Sequence, residues 1–151
     1  MPRLDNVRVG SWRGMQALVA QLERGIDEEL RADWDISIGW FDVLTSLQRL
    51  GGTARPLDVA SDLRLPASSV SRRLDRLEEE GWVARHRYID DADKRAVDIE
   101  LTKSGRRLWR EMNVSYRRAV QSLFATHLDD DDIDALRRIV DTLTTVNDEM
   151  N

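Results

Sequence analysis

Residues 65–86 read LPASSVSRRLDRLEEEGWVARH. Val70, Leu74 and Leu77 recur at steps of four and three residues, which puts them on one face of a helix. Pro66 and the pair Ser68–Ser69 are start signals, and Gly81 stands where a helix ends in a left-handed residue. The opposite face carries Ser68, Ser69, Ser71, Arg72 and Arg73 in its first two turns, with Arg76 a turn further on. Glu78, Glu79 and Glu80 crowd the other end. Acids there oppose the helix dipole, so the placement is not optimised for helix stability. A charged face is most often merely solvated; the flanking elements decide whether this one is.

On the N-terminal side, GGTARP stops a preceding helix, and Pro56 opens a short one through PLDVASDLRL with Leu57, Ala60 and Leu63 as its expected ridge. Two short helices joined by a tight turn form a helix-turn-helix candidate. On the C-terminal side, WVARHRYI and VDIEL alternate as strands, with Val97, Ile99 and Leu101 against Asp98 and Glu100. The charged connection DDADKRA between them predicts a hairpin with Lys94 and Arg95 at its tip, the position of a wing.

Further out, Met15, Leu18, Val19, Leu22, Ile26 and Leu30 predict a first helix from about Ser11. Ser37 is the expected cap of a second helix with Trp40, Phe41, Leu44 and Leu47 inward. Thr102 caps a long helix expected to reach about His127, with Leu108, Met112, Tyr116, Val120 and Leu123 as its stripe. Asp129 to Asp132 suit the positive end of a last helix, whose narrow apolar seam is Ile133, Leu136, Val140, Leu143 and Met150. The outer helices carry more apolar surface than a small winged domain covers, so they are expected to pack on each other or on a second copy of the chain.

The chain has 151 residues, a net charge of −5 and no cysteine. Disulfides and thiolate metal sites are thereby excluded, and no apolar run is long enough for a membrane-spanning helix. MPRLDNVRVGSW lacks the apolar stretch of a secretory signal, so a cytoplasmic protein is expected. Net acidity argues against a nucleic-acid partner, but the charge is segregated. Residues 129–151 hold eight acids against Arg137 and Arg138, whereas residues 64–76 hold Arg64, Arg72, Arg73 and Arg76 against Asp75.

A helix whose basic, serine-rich start enters a negatively charged groove would have this pattern. Short serines allow close approach, and arginine grips guanine with two parallel hydrogen bonds. In the wing, Asp93 two residues before Arg95 is either a surface ion pair of little energetic consequence or an orienting group that aims Arg95 into a narrow minor groove.

WFDVLTSL, LDVASDLRL, SSVSRRLDRLEEEGWVAR and DKRAVDIELTKSGRRL together resemble the MarR family of transcriptional regulators, in order and spacing, over nearly the whole chain. The resemblance implies a mainly α (α+β) fold: a winged helix-turn-helix DNA-binding domain at 36–101, flanked by dimerisation helices at 1–35 and 102–151. It also implies a homodimeric repressor on a pseudo-palindromic operator of double-stranded DNA. Contacts then fall on Ser68, Ser69, Ser71, Arg72 and Arg73 of the recognition helix and on Asp93 and Arg95 of the wing, with Arg76 and Lys94 completing the basic set. Pro66 departs from the usual serine cap and Ala92 from a frequent wing arginine.

Family members often release DNA on binding a small aromatic acid. Trp12, Arg13, Met15, Trp40 and Phe41 are the candidates for such a cleft, although aromatic and methionine stripes are more often core. His86 and His127 stand far apart, so no metal site, cofactor or catalytic constellation is expected. A winged module that binds protein instead of DNA is the rival reading; it would work through exposed apolar residues, where this surface shows serine and arginine.

Overall fold

The computed structural model describes residues 3–87 and 97–150. Within them the order is α1 (Asn6–Trp34), α2 (Ile38–Arg49), β1 (Thr53–Ala54), α3 (Pro56–Leu63), α4 (Ala67–Glu79), β2 (Val83–Arg87), β3 (Val97–Leu101), α5 (Lys103–Leu123), a 3-10 turn (Ala125–His127) and α6 (Asp130–Glu149). The chain forms two compact units, Ile26–Tyr116 and a second made of Met1–Gly25 with Arg117–Asn151.

The unit Ile26–Tyr116 is a winged helix-turn-helix. Its three antiparallel strands run in the order β1-β3-β2, with Ala54 opposite Ile99 and Arg85 also opposite Ile99 on the other side. The two-residue β1 escapes the sequence pattern because its length allows no alternation. Val83, Ile99 and Leu101 turn inward, and they are buried together with Val70, Leu74 and Leu77 of α4. The apolar stripe of α4 is therefore core.

The turn between α3 and α4 is closed by Arg64 in the left-handed region (φ 54°), while Leu65 N–H donates to the Ala60 carbonyl at 3.0 Å. Arg49 of α2 grips Asp62 of α3 with two hydrogen bonds, Nε to Oδ1 at 3.2 Å and Nη2 to Oδ2 at 2.5 Å. That grip holds the Asp62 carboxyl below the usual carboxylate range. The inward ridge of α3 differs from expectation: Val59 is fully buried beside Ala60, and Leu57 is 68% exposed. Both ridges satisfy helical spacing in so short a helix, and packing on α2 and α4 selects the second.

Ser37 occupies the N-cap position of α2 but makes no side-chain cap. Asp27 of α1 caps it instead, its Oδ1 accepting the Ile38 N–H at 2.8 Å and its Oδ2 the Arg31 Nε at 2.7 Å. Burial opposes ionisation of Asp27, but these two donors outweigh it and hold the carboxyl below its ordinary value. A carboxyl with a lowered folded-state pKa contributes stability that is complete above the unfolded value and drains away as acid protonates the folded form. Asp27→Ala is therefore expected to cost about 1 kcal/mol at neutral pH, a difference that shrinks below pH about 4. Urea denaturation of both proteins across that range measures it.

The joint between wing and α5 is built around Thr102. Its Oγ1 donates to the Gly81 carbonyl at 2.7 Å and accepts the Gly105 N–H at 3.0 Å, confirming the cap. Gly81 has φ 77°, the conformation expected at that helix end. Further along, Trp34 Nε1 donates to Ser115 Oγ at 3.2 Å, and Ser115 donates to Asp33 at 2.7 Å.

In the other unit, α1 begins a full turn before Ser11, where Asp5 Oδ1 accepts the Arg8 N–H at 2.8 Å. No apolar periodicity marks that first turn; the cap does. α5 ends at Leu123, four residues short of the expected His127, because Thr126 Oγ1 donates back to the Gln121 carbonyl at 2.8 Å and closes the chain into a 3-10 turn. α6 starts after the acidic run, as expected, and Asp129 and Asp132 form a reciprocal capping box there, an arrangement that the dipole reading did not include. Much of this unit's apolar surface is uncovered in a single chain. Trp12, Leu18 and Val19 of α1 and Ile139, Val140, Leu143 and Val146 of α6 are each about half exposed.

Candidate nucleic-acid interface

With Val70, Leu74 and Leu77 sealed in the core, the 3.6-residue turn of α4 puts Ser68, Ser71 and Arg72 on the outer side. All three are exposed, and Ser69 is half-buried at the edge. Arg72 has no ion pair among the described residues. Arg76 is exposed and lies 3.3 Å from Glu79 Oε2 one turn along the helix.

The acids of α4 are not left facing outward unopposed. Arg85 of β2 reaches Asp75 at 2.5 Å and Glu78 at 3.7 Å, with only 27% of its side chain exposed. Arg76 answers Glu79. The negative end of the helix is thus matched by basic side chains of the same unit, and its first two turns keep their positive character. Arg85 also ties the base of the wing to α4; the strand alternation gave no sign of this, since both partners lie ten or fewer residues upstream on another element. His86 of β2 pairs with Glu100 of β3, Nε2 to Oε2 at 2.7 Å.

Arg73 departs from the rest of the set. It is half-buried, and its Nη1 donates to the Gly39 carbonyl of α2 at 3.1 Å. Trp40, the next residue of α2, meets Trp82 edge to face with centroids 6.3 Å apart. Trp40, Arg72, Arg73 and Arg76 line one shallow depression beside α4.

Asp93, Lys94 and Arg95 lie outside the described residues. Of the five residues considered for an effector cleft, Trp12, Arg13 and Met15 are exposed on the part of α1 that belongs to one unit. Trp40 and Phe41 belong to α2 in the other. Phe41 is 2% exposed and packs on Tyr116, ring centroids 4.9 Å apart, so its side chain is core. Among the described residues no cluster of histidine and acidic groups is placed to hold a metal ion. No helix among them is long and apolar enough to cross a membrane.

Residues 34–96 match the model of the MarR family. Among curated proteins, the chain is 33% identical over 86 residues to the HTH-type transcriptional regulator PecS of Dickeya dadantii, covering 56% of this chain and 50% of PecS. It is 33% identical over 91 residues to the uncharacterized HTH-type transcriptional regulator YwoH of Bacillus subtilis, covering 60% of this chain and 64% of YwoH. The chain thus spans 50% and 64% of the lengths of these relatives, which are transcriptional regulators by name. Among solved structures, a mutant of MarR from E. coli complexed with operator DNA superposes with a TM-score of 0.79 at 25% identity, covering 94% of this chain and 99% of that one. The winged helix-turn-helix over residues 34–96 is thus similar in sequence to the MarR family, and its fold is shared with MarR along nearly the whole chain.

Proposed function

We propose that the chain is a DNA-binding transcriptional repressor that acts as a homodimer on a pseudo-palindromic operator. One observation carries the reading: the start of α4 presents Ser68, Ser71 and Arg72 outward while its acids are engaged by Arg85 and Arg76. Such a helix end can enter a major groove, where serines approach the backbone and Arg72 addresses a base edge. Ser69 and Arg76 flank that contact, and Asp93, Lys94 and Arg95 are assigned to the adjacent minor groove. The half-exposed apolar residues of α1 and α6 support association with a second copy, since a monomer rarely leaves so much apolar surface open. In the dimer the two copies of α4 stand about 34–36 Å apart, one turn of DNA.

The test is a fluorescence titration against a duplex selected by the native protein from a random library. Two protomers are expected per duplex, with affinity falling steeply as salt rises. Arg72→Ala is expected to cost about 1–3 kcal/mol and to relax preference at one base pair. Arg95→Ala is expected to weaken binding as well. Failure to select any duplex, or salt-insensitive binding that both variants leave intact, rules the reading out. Repeating the titration with benzoate checks the further proposal that a small aromatic acid releases the DNA.

A further inference from the structure

Resting on the DNA-binding reading, we propose that Arg73 is a positioning residue: it sets the angle at which α4 is presented by bracing it against the first turn of α2, and does not read a base. Its neighbour Arg72 is exposed and unpaired among the described residues, whereas Arg73 sits at the border of the buried stripe and spends a donor on the Gly39 carbonyl at 3.1 Å. A carbonyl in the first turn of α2 already serves the helix, so its second lone pair is what Arg73 uses.

Gly39 is the other half of the brace. A Cβ built there would lie 3.1 Å from Arg73 Cζ, 3.3 Å from Nη1 and 3.4 Å from Nη2. The residue is helical and has no positive φ, so nothing in its own backbone asks for glycine. Glycine inside a helix destabilises it relative to alanine. The open space over Gly39 is filled by a guanidinium plane instead, which lets α2 and α4 be joined by a charge-assisted hydrogen bond. The same first turn carries Trp40 against Trp82, so the contact lies between the helix ahead of the turn motif and the residue that leads into the wing. A brace at that point fixes α4 relative to both.

Two measurements test this. In urea denaturation at one protein concentration, Gly39→Ala in an Arg73→Ala background is expected to raise the midpoint, as glycine to alanine in a helix does. In the native background the gain should vanish or reverse, because the new methyl displaces the guanidinium. Equal gains in both backgrounds overturn the brace. In titrations far below the melting temperature, corrected for active fraction, the selected duplex and each of its single-base-pair variants are compared. Arg73→Ala is expected to weaken all of them by a common factor of about tenfold with the preference profile unchanged. Arg72→Ala should flatten the profile at one position. Loss of preference at a single base pair on removing Arg73 assigns it a base contact, and unchanged affinity makes it merely structural; either result overturns the proposal. If the native protein selects no duplex, the DNA-binding reading falls and takes this role with it, while the denaturation cycle still reports separately whether the brace exists.

Discussion

Gly105→Ala is expected to destabilise the protein by at least about 3 kcal/mol, beyond the usual range for one added methyl. The Cβ of alanine at this position would lie 2.0 Å from the Trp82 carbonyl oxygen and 2.9 Å from its carbon. Both are backbone atoms, and neither can swing aside. The Trp82 carbonyl is held from the other direction by the Thr102 N–H at 3.1 Å, and Thr102 in turn grips Gly81. Any shift that relieves the clash breaks the joint between α4, the wing and α5. Gly81→Ala is the informative companion. Nothing lies within 4 Å of its Cβ position, so only the left-handed backbone (φ 77°) resists the substitution. That costs about 1–2 kcal/mol. Thermal and urea denaturation of the two variants should rank Gly105→Ala well below Gly81→Ala; similar losses would show that the joint yields more than its packing implies.

Phe41→Ala is expected to cost about 3–5 kcal/mol, the range for removing a buried aromatic. Phe41 is sealed between α2 and α5 against Tyr116, whose phenol is pushed above its ordinary pKa by burial and then by the charge of Asp42. A cavity the size of a phenyl ring would open with little room to collapse, because Leu44, Leu47 and Met112 are themselves fully buried. The measurement is the urea midpoint and slope at one protein concentration, since a dimer's apparent stability depends on it. A loss under about 1 kcal/mol would return Phe41 to a surface or cleft. The result therefore separates a core aromatic from an effector-lining one.

Much of the fold was legible in advance because its signals are local. The three- and four-residue steps through Val70, Leu74 and Leu77 predicted a buried stripe, and those residues are fully buried. Thr102 is a cap whose partner lies three residues away, so spacing alone identifies it, whereas the run Asp129 to Asp132 suggested a helix start and not the reciprocal cap between its two ends. Ser37 fails the same logic: its cap is supplied by Asp27, eleven residues from Ile38 and on another helix. Leu57 and Val59 fail it too, since a two-turn helix has two equally spaced ridges. The candidate interface divides in the same way. Its residue types were visible as a basic, serine-rich helix start, but the engagement of Asp75 and Glu78 by Arg85 was not.

β1 and the ends of α1 and α5 were thus not legible in the amino-acid sequence, while the helices, the two longer strands and the basic face of α4 over a buried stripe were. Those properties follow from periodicity and from donors and acceptors within one turn of each other. That Arg73 is spent on Gly39 while Arg72 is open, and that Gly105 lies against the Trp82 carbonyl, is visible only in the folded chain. Each depends on atoms brought together from distant parts of the chain: 64 residues separate Trp109 from Thr45, whose side chains hydrogen-bond at 3.1 Å. Gly39 and Gly105 stand inside helices that would be steadier with alanine, but so do Gly10 and Gly14, which nothing approaches within 4 Å. What approaches a glycine, and how closely, is set by packing.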